Sequence, residues 1–299
     1  MPTRWDSRDI PDQTGRTIVV TGANSGLGLA TSRMLTDAGA RVLMACRDTG
    51  KGQKVAPAGA EVCELDLADL ASVRTFAEKV PADRIDVLIN NAGVMNVPKR
   101  TTADGFELQF GTNYLGHFAL TGLLLPRITA RVVTVSSAVH AIGRINFNDL
   151  QHERHYQPWL AYGQSKLANL LFTYELDRRA RAAGRDLISV AAHPGYASTN
   201  LQTGRARMTG SALGVRIAEL TNRIFGQSAK MGALPQTYAA TAPDVHGGEY
   251  FGPGGLFHQH GYPERVRPSR AARNVDTAQR LWDVAEDLTG VSFEFSAAG

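Results

Sequence analysis

The sequence predicts an α/β fold, a single-domain, doubly wound parallel sheet with helices on both faces, and three observations carry that reading. Short apolar, β-branched runs alternate with helical patterns along the chain, the order that builds parallel βαβ units. A glycine-rich turn, Gly22-Ala23-Asn24-Ser25-Gly26-Leu27-Gly28, stands between the first apolar run and the first helical pattern. The other polar motifs fall at the ends of apolar runs or in the helix that follows, where open α/β sheets hold their ligands.

Taken in order, the run Thr17 to Val20 predicts a strand and Leu27 to Ala38 the helix after it. Gly22 permits a tight turn, Gly26 lets the backbone approach a pyrophosphate, and Gly28 lets the helix sit close to the strand. The helix N-terminus then offers its unpaired N–H groups to the anion. Further strands are expected near Val42, Val62, Val87, Val132 and Val190, with helices near Val73, Phe110, Leu170 and Tyr238. One domain is expected over residues 1–299, with residues 1–14 a flexible N-terminus, 200–230 a lid over the substrate, and 247–275 a surface loop rich in Gly, Pro and His. No internal repeat or low-complexity segment is visible.

Composition sets limits. The formal charge of +4 arises from 26 Arg and 6 Lys against 28 acids, and the cations are dispersed, which argues against nucleic acid as a partner. The densest cluster, Arg178-Arg179-Ala180-Arg181, ends a helical pattern, where cations offset the macrodipole. Cys46 and Cys63 are too few for a disulfide framework or a metal site, so a reducing, cytoplasmic setting is expected. Residues 1–16 have no apolar core and read as no signal peptide, and Tyr114 to Pro126 is too short to span a bilayer.

The chemistry is suggested by Tyr162 and Lys166. Only this Lys has a Tyr four residues before it. In a helix the pair shares one face, so the ammonium can stand beside the phenol and lower a pKa that is ordinarily about 10. An acid/base tuned in this way suits carbonyl and alcohol redox chemistry. Taken alone, the spacing equally describes an unrelated Tyr and Lys on a helix surface.

Cofactor preference is read after the second strand, where an NAD site places an acid to accept from the ribose 2′-hydroxyl. Here Cys46 is followed by Arg47, whose fork can grip a 2′-phosphate, so NADP(H) is expected over NAD(H). Arg47 has two other readings, stacking on adenine or pairing with Asp48.

With Thr21-Gly22 to Gly28, Asp66-Leu67, Asn90-Asn91-Ala92-Gly93, Asn113, Ser136-Ser137, Tyr162/Lys166 and His193-Pro194-Gly195 in this order, the chain resembles the short-chain dehydrogenases/reductases over residues 14–290. Ala45 to Asp48, Val135 to His140 and Tyr162 to Asn169 are most similar to the retinol dehydrogenase and WW-domain oxidoreductase group. The first third is also similar to protochlorophyllide reductase. The resemblance implies a Rossmann-type fold and an oxidoreductase acting between nicotinamide and a carbonyl or alcohol.

By that resemblance, Tyr162 exchanges the proton, Ser137 hydrogen-bonds the substrate oxygen, Lys166 holds the nicotinamide ribose and lowers the Tyr162 pKa, and Asn113 supports Lys166 through a water. Ser136 competes for the hydroxyl role, since only one of two neighbours on a strand faces the cleft. The cofactor contacts implied are Gly22, Asn24, Ser25, Gly26, Leu27, Gly28, Arg47, Asp66, Leu67, Asn91, Ala92, Gly93, Tyr162, Lys166, Pro194, Gly195 and Thr199. Asp66 alternatively caps the helix near Leu70, and Thr199 a following helix. His140 and His193 have no partner acid at a telling spacing and receive no catalytic role.

Leu213, Ile217, Leu220 and Ile224 lie at helical spacing in the lid and suggest a lipophilic aldehyde, ketone or alcohol; the same stripe could pack on the core or lie on a membrane. Retinoid-using relatives usually carry an N-terminal anchor that is not seen in this sequence, which weighs against membrane-resident substrates. The stretch between Ser137 and Tyr162, with Phe147, Tyr156 and Trp159, is longer than in the most compact members, and a monomer or homodimer is expected. A nucleotide sensor without turnover is the alternative, though it would be expected to have lost Tyr162 or Lys166. A nucleotide-sugar epimerase would show a different glycine spacing and a larger C-terminal domain.

Overall fold

The computed structural model describes residues 4–195 and 228–295. Eight strands form one sheet in the order β3-β2-β1-β4-β5-β6-β7-β8. They are β1 (Thr17–Thr21), β2 (Arg41–Cys46), β3 (Glu61–Glu64), β4 (Ile85–Asn90), β5 (Ile128–Val135), β6 (Ile188–Ala192), β7 (Tyr250–Pro253) and β8 (Pro263–Arg265). All neighbours pair in parallel except β7 and β8. Strands β1, β2, β4 and β6 are buried on both faces, as expected of a sheet covered by helices on both sides.

The helices are α1 (Gly26–Asp37), α2 (Thr49–Val55), α3 (Leu70–Lys79), α4 (Leu108–Phe110), α5 (Gly116–Leu124), α6 (Pro158–Ala182), α7 (Ala229–Thr241) and α8 (Val275–Thr289). A π-helical turn, Gly111–Leu115, joins α4 to α5. One core cluster gathers Phe118, Leu170, Phe172 and Trp282 beneath α5, α6 and α8. The other gathers Met34, Leu35, Leu234 and Tyr238 beneath α1 and α7. The order reverses between β1 and β4, the switch point at which such sheets open a cleft.

Two expectations are corrected. Residues 247–275 are more than a surface loop: they supply β7, which pairs with β6 through Ala191↔Tyr250 and Ala192↔Phe251, and β8. Residues 4–14 are not free either. The Trp5 ring is buried edge-on against Tyr238 at 5.0 Å, and the Gln13 N–H donates to the Ala38 carbonyl at 2.8 Å, because an indole that can reach an apolar groove gains more by burial than by hydration. Among the described residues no helix is long and apolar enough to cross a membrane. The stripe Leu213, Ile217, Leu220 and Ile224 and the position Thr199 lie outside the described residues.

Candidate active site

A cleft of about 500 Å³ opens at the carboxyl ends of β1 to β4. Its walls bring together Gly22, Asn24, Ser25, Gly26, Leu27 and Gly28 from the glycine turn, Arg47 from the end of β2, Asp66 and Leu67 after β3, and Asn91, Ala92 and Gly93 after β4. A second cavity of about 630 Å³ lies on the outer side of α1 among Arg8, Arg33 and Lys230 and shares only Gly26 with the cleft.

The glycine turn is shaped for a close-lying dinucleotide. Gly22 and Gly26 have φ of 66° and 54°, in the left-handed region that favours glycine. A Cβ on Gly28 would stand 2.5 Å from the Gly22 carbonyl oxygen, so α1 can approach β1 only with glycine there. Ser25, at the N-cap of α1, makes no side-chain cap bond, which leaves the first amides of the helix to an anion. The wall opposite is held by Thr21, whose Oγ1 accepts from the Asn91 and Ala92 N–H groups at 2.9 Å each, while Asn91 Nδ2 donates to the Thr21 carbonyl at 2.7 Å.

At the mouth, Asp48 turns away to cap α2, accepting from the Lys51 N–H at 2.8 Å. Arg47 pairs instead with Asp66 at 3.7 Å and keeps 77% of its side chain exposed, so the pair is weak and the guanidinium is open to a ligand. Asp66 does not cap α3; Asp69 does, accepting from Ala71 and Ser72, and Asp66 Oδ1 accepts from the Ala68 N–H at 2.9 Å. Lys51 also lines the cleft, a cation missed because the glycines in Thr49–Val55 conceal the helix that places it.

The catalytic candidates Ser137, Tyr162 and Lys166 are not among the residues lining the cleft, and Lys166 approaches it behind Gly93. Tyr162 and Lys166 lie on α6 and both are buried. A Cβ on Gly93 would come within 3.5 Å of Lys166 Nζ, so the ammonium stands just behind that residue. Ser137 is half-buried and its hydroxyl hydrogen-bonds the Tyr162 phenol. Ser136 points the other way, donating to the Lys166 carbonyl at 2.8 Å, so the strand alternation separates the two serines.

The expected depression of the phenol by Lys166 is absent here. Burial pushes Tyr162 up to about 12, opposed only by the Ser137 bond. Burial likewise brings Lys166 down to about 8. The reason is orientation: Nζ donates to the Val135 carbonyl at 2.9 Å and stands 5.8 Å from the phenol ring centroid.

Asn113 lies in the π-helical turn, a distortion frequent at functional sites. Its Oδ1 accepts from the Val94 N–H at 2.8 Å, and its Nδ2 donates to the Val94 carbonyl and to Ser165 Oγ, each at 2.9 Å. Pro194 and Gly195 follow β6 on the same side of the sheet without lining the cleft. His140 donates from Nδ1 to the Ser137 carbonyl at 2.7 Å and accepts from the Ser269 N–H, and His193 accepts from the Gly195 N–H at 3.2 Å, so both serve the backbone.

The family model for short chain dehydrogenases matches residues 16–209. The chain belongs to the short-chain dehydrogenase family. Within it the chain falls in the retinol dehydrogenase group: it is 41% identical to retinol dehydrogenase 12 of Mus musculus over 296 residues, covering 94% of this chain and 88% of the relative. It is 41% identical to retinol dehydrogenase 14 of Mus musculus, covering 93% and 86%. The crystal structure of an uncharacterized protein from Mycobacterium paratuberculosis superposes with a TM-score of 0.83 at 49% identity, covering 98% of this chain and 100% of that one. The chain is therefore an oxidoreductase of this family with a nicotinamide-binding fold, and the cleft of about 500 Å³ lined by Gly22, Gly26, Gly28 and Gly93 fits such a cofactor.

Proposed function

We propose that this chain is an NADP(H)-dependent oxidoreductase interconverting a lipophilic carbonyl compound and its alcohol, with Tyr162 as the general acid/base. The observation that carries the reading is the meeting of Tyr162 with Ser137 and of Lys166 with Gly93, a residue on the wall of the glycine-cradled cleft. When bound, the cofactor supplies or accepts the hydride.

The residues divide the remaining work. Tyr162, its proton retained by burial, donates to the oxygen of a carbonyl under reduction and recovers the proton in the reverse direction. Ser137 faces the same oxygen and stabilises the charge that gathers there. Lys166, close to Gly93, is placed to hold the nicotinamide ribose. Asn113 holds the Val94 backbone beside that position. Pro194, Gly195 and Thr199 complete the proposed cofactor contacts.

Arg47 and Lys51 supply the preference for the 2′-phosphate, since both cations line the mouth where Asp48 is engaged as a cap. A structure 30% identical to this chain, named for an NAD(P)-dependent gluconate 5-dehydrogenase of Beutenbergia cavernae and holding NADP at low occupancy, supports that choice; its TM-score is 0.57 with 79% of this chain and 94% of that one covered. Arg47→Ala is expected to weaken NADPH binding about 10- to 100-fold, the worth of a charge-assisted bond, and to leave NADH within about twofold. Fluorescence titration with both dinucleotides reads the split, and equal losses would refute phosphate recognition by Arg47.

The substrate class rests on the rim. Trp159 is 38% exposed and stands edge-on to Tyr162 at 6.3 Å, with the exposed apolar side chains of Leu160 and Ile142 at the start of α6 and in the turn after Ser137. Such apolar surface beside a polar reaction centre suits an apolar substrate body. Trp159→Ala is expected to raise KM for a long-chain aldehyde about tenfold and leave a short, polar aldehyde unchanged, the burial of one aromatic face being at stake. Equal effects on both would remove Trp159 from the substrate path.

A further inference from the structure

His117 is buried in α5, behind the cleft wall, and none of the proposed steps uses it. Its two ring nitrogens each have one partner: Nε2 lies 2.9 Å from Thr21 Oγ1, and Nδ1 lies 3.0 Å from the Asn113 carbonyl oxygen. The donor count fixes which nitrogen carries the proton. A hydroxyl accepts twice and donates once. Thr21 Oγ1 already accepts from the Asn91 and Ala92 N–H groups, so it can only donate to His117. Its one other acceptor is the Ile89 carbonyl at 3.4 Å, a much poorer bond. Nε2 is therefore the acceptor and the ring proton sits on Nδ1, aimed at Asn113. The opposite tautomer would set Nε2–H against a filled hydroxyl and the Nδ1 lone pair against a carbonyl. Burial, with a lesser push from the Lys166 charge, brings His117 down to about 4, in keeping with a neutral ring.

Assigned in this way, the bonds run without a break between the two halves of the site. Thr21 donates to His117, His117 to the Asn113 carbonyl, Asn113 Nδ2 to Ser165 Oγ, and Ser165 to the Tyr162 carbonyl at 2.8 Å. Thr21 is also the anchor of the Asn91-Ala92 turn, and Asn113 the anchor of Val94. The imidazole is thus the link between the strand end that shapes the cofactor wall and the turn that supports the catalytic helix. Because buried polar networks are costly when left half-satisfied, the link is rigid.

We propose that His117 is a positioning residue which, with its proton on Nδ1, ties Thr21 to Asn113 and so couples the cofactor wall to the helix bearing Tyr162. This rests on the reading of the cleft as the dinucleotide site. Two measurements test it. A long-range ¹H–¹⁵N correlation spectrum of histidine-labelled protein should show the Nδ1–H tautomer for His117, assigned by its loss in His117→Asn; an Nε2–H tautomer would overturn the proposal.

The second measurement is a double-mutant cycle read as NADPH affinity. His117→Phe should weaken NADPH about tenfold in the natural chain, the loss typical of a buried hydrogen bond, and less than twofold when Thr21→Val is already present. Equal losses in both backgrounds would mean that the imidazole acts independently of Thr21 and would sink the coupling. Should His117→Phe fail to fold, His117→Asn takes its place in the cycle: it keeps a donor near Nδ1 and gives up only the Thr21 end. If the natural chain binds no NADPH, the cofactor reading fails, while the tautomer still decides the hydrogen-bond chain.

Discussion

Tyr162→Phe is expected to cut carbonyl turnover by about 10³-fold while NADPH affinity stays within about twofold. The ring remains, so the packing beside Trp159 survives, and only the proton-bearing oxygen and its bond to Ser137 are lost. The pH dependence of the natural chain gives a second reading. With burial holding the phenol up at about 12, Tyr162 is loaded with its proton throughout the neutral range. Reduction should therefore be flat across that range, whereas alcohol oxidation, which must first remove the proton, should climb with pH. Single-turnover rates measured in both directions would show it. Turnover undiminished in Tyr162→Phe would end the acid/base assignment, and tight NADPH binding with no turnover in the natural chain would identify a sensor.

Lys166→Met should produce opposite effects on activity and stability. Loss of the ammonium beside Gly93 is expected to reduce turnover by at least about 10²-fold. Stability should rise, because a buried lysine whose pKa falls from 10.5 to about 8 costs the folded state on the order of 3 kcal/mol while it stays charged. The sign follows from proton counting. Between pH 8 and 10.5 the unfolded chain binds the proton and the folded chain does not, so the natural protein gains stability as pH rises through that window and the cost is constant below it. The variant should melt about 5 °C higher at pH 7, with the gap closing by about pH 10. The Val135 carbonyl is not orphaned by the change, since Asn169 Nδ2 also donates to it at 3.1 Å. A variant less stable than the natural chain at pH 7 would show that the ammonium is a structural tie to β5.

What could be read from the chain, and what could not, follows how local each feature is. Strands β1, β2, β4, β5 and β6 announce themselves as apolar runs, whereas β3 offers only Val62 and Cys63 between two glutamates, and the glycine turn acts through its own backbone. Strand β7 is short, ends in Gly252-Pro253, and becomes a strand only because β6, far back in the chain, offers it an edge. Helix α8 is missing from the sequence expectation although its pattern is readable, with Ala278, Leu281, Trp282 and Ala285 on one face between the caps Asn274 and Gly290; what periodicity does not reveal is that Trp282 packs on Phe118 and Phe172. In the site, the spacing of Tyr162 and Lys166 correctly places both on one helix. It does not say where the ammonium points, because that is decided by the Val135 carbonyl on another element. Arg47 was legible as a cation, but its company was not: Asp48 is taken by α2, and Asp66 arrives from the next strand.

The two ends of the sheet carry a consequence for how this molecule meets its neighbours. At one end β3 alternates Glu61, engaged by Arg41 at 2.7 Å, with the exposed Glu64. At the other, β8 starts with Pro263, which has no N–H to give, and sets Glu264 and Arg265 toward solvent. Both margins are short and charged, the form in which natural sheets refuse an added strand. Among the described residues, a strand offered by a second copy of the chain would therefore meet a charged margin at one end of the sheet and a proline-headed, charged one at the other, both of which disfavour extending the ladder.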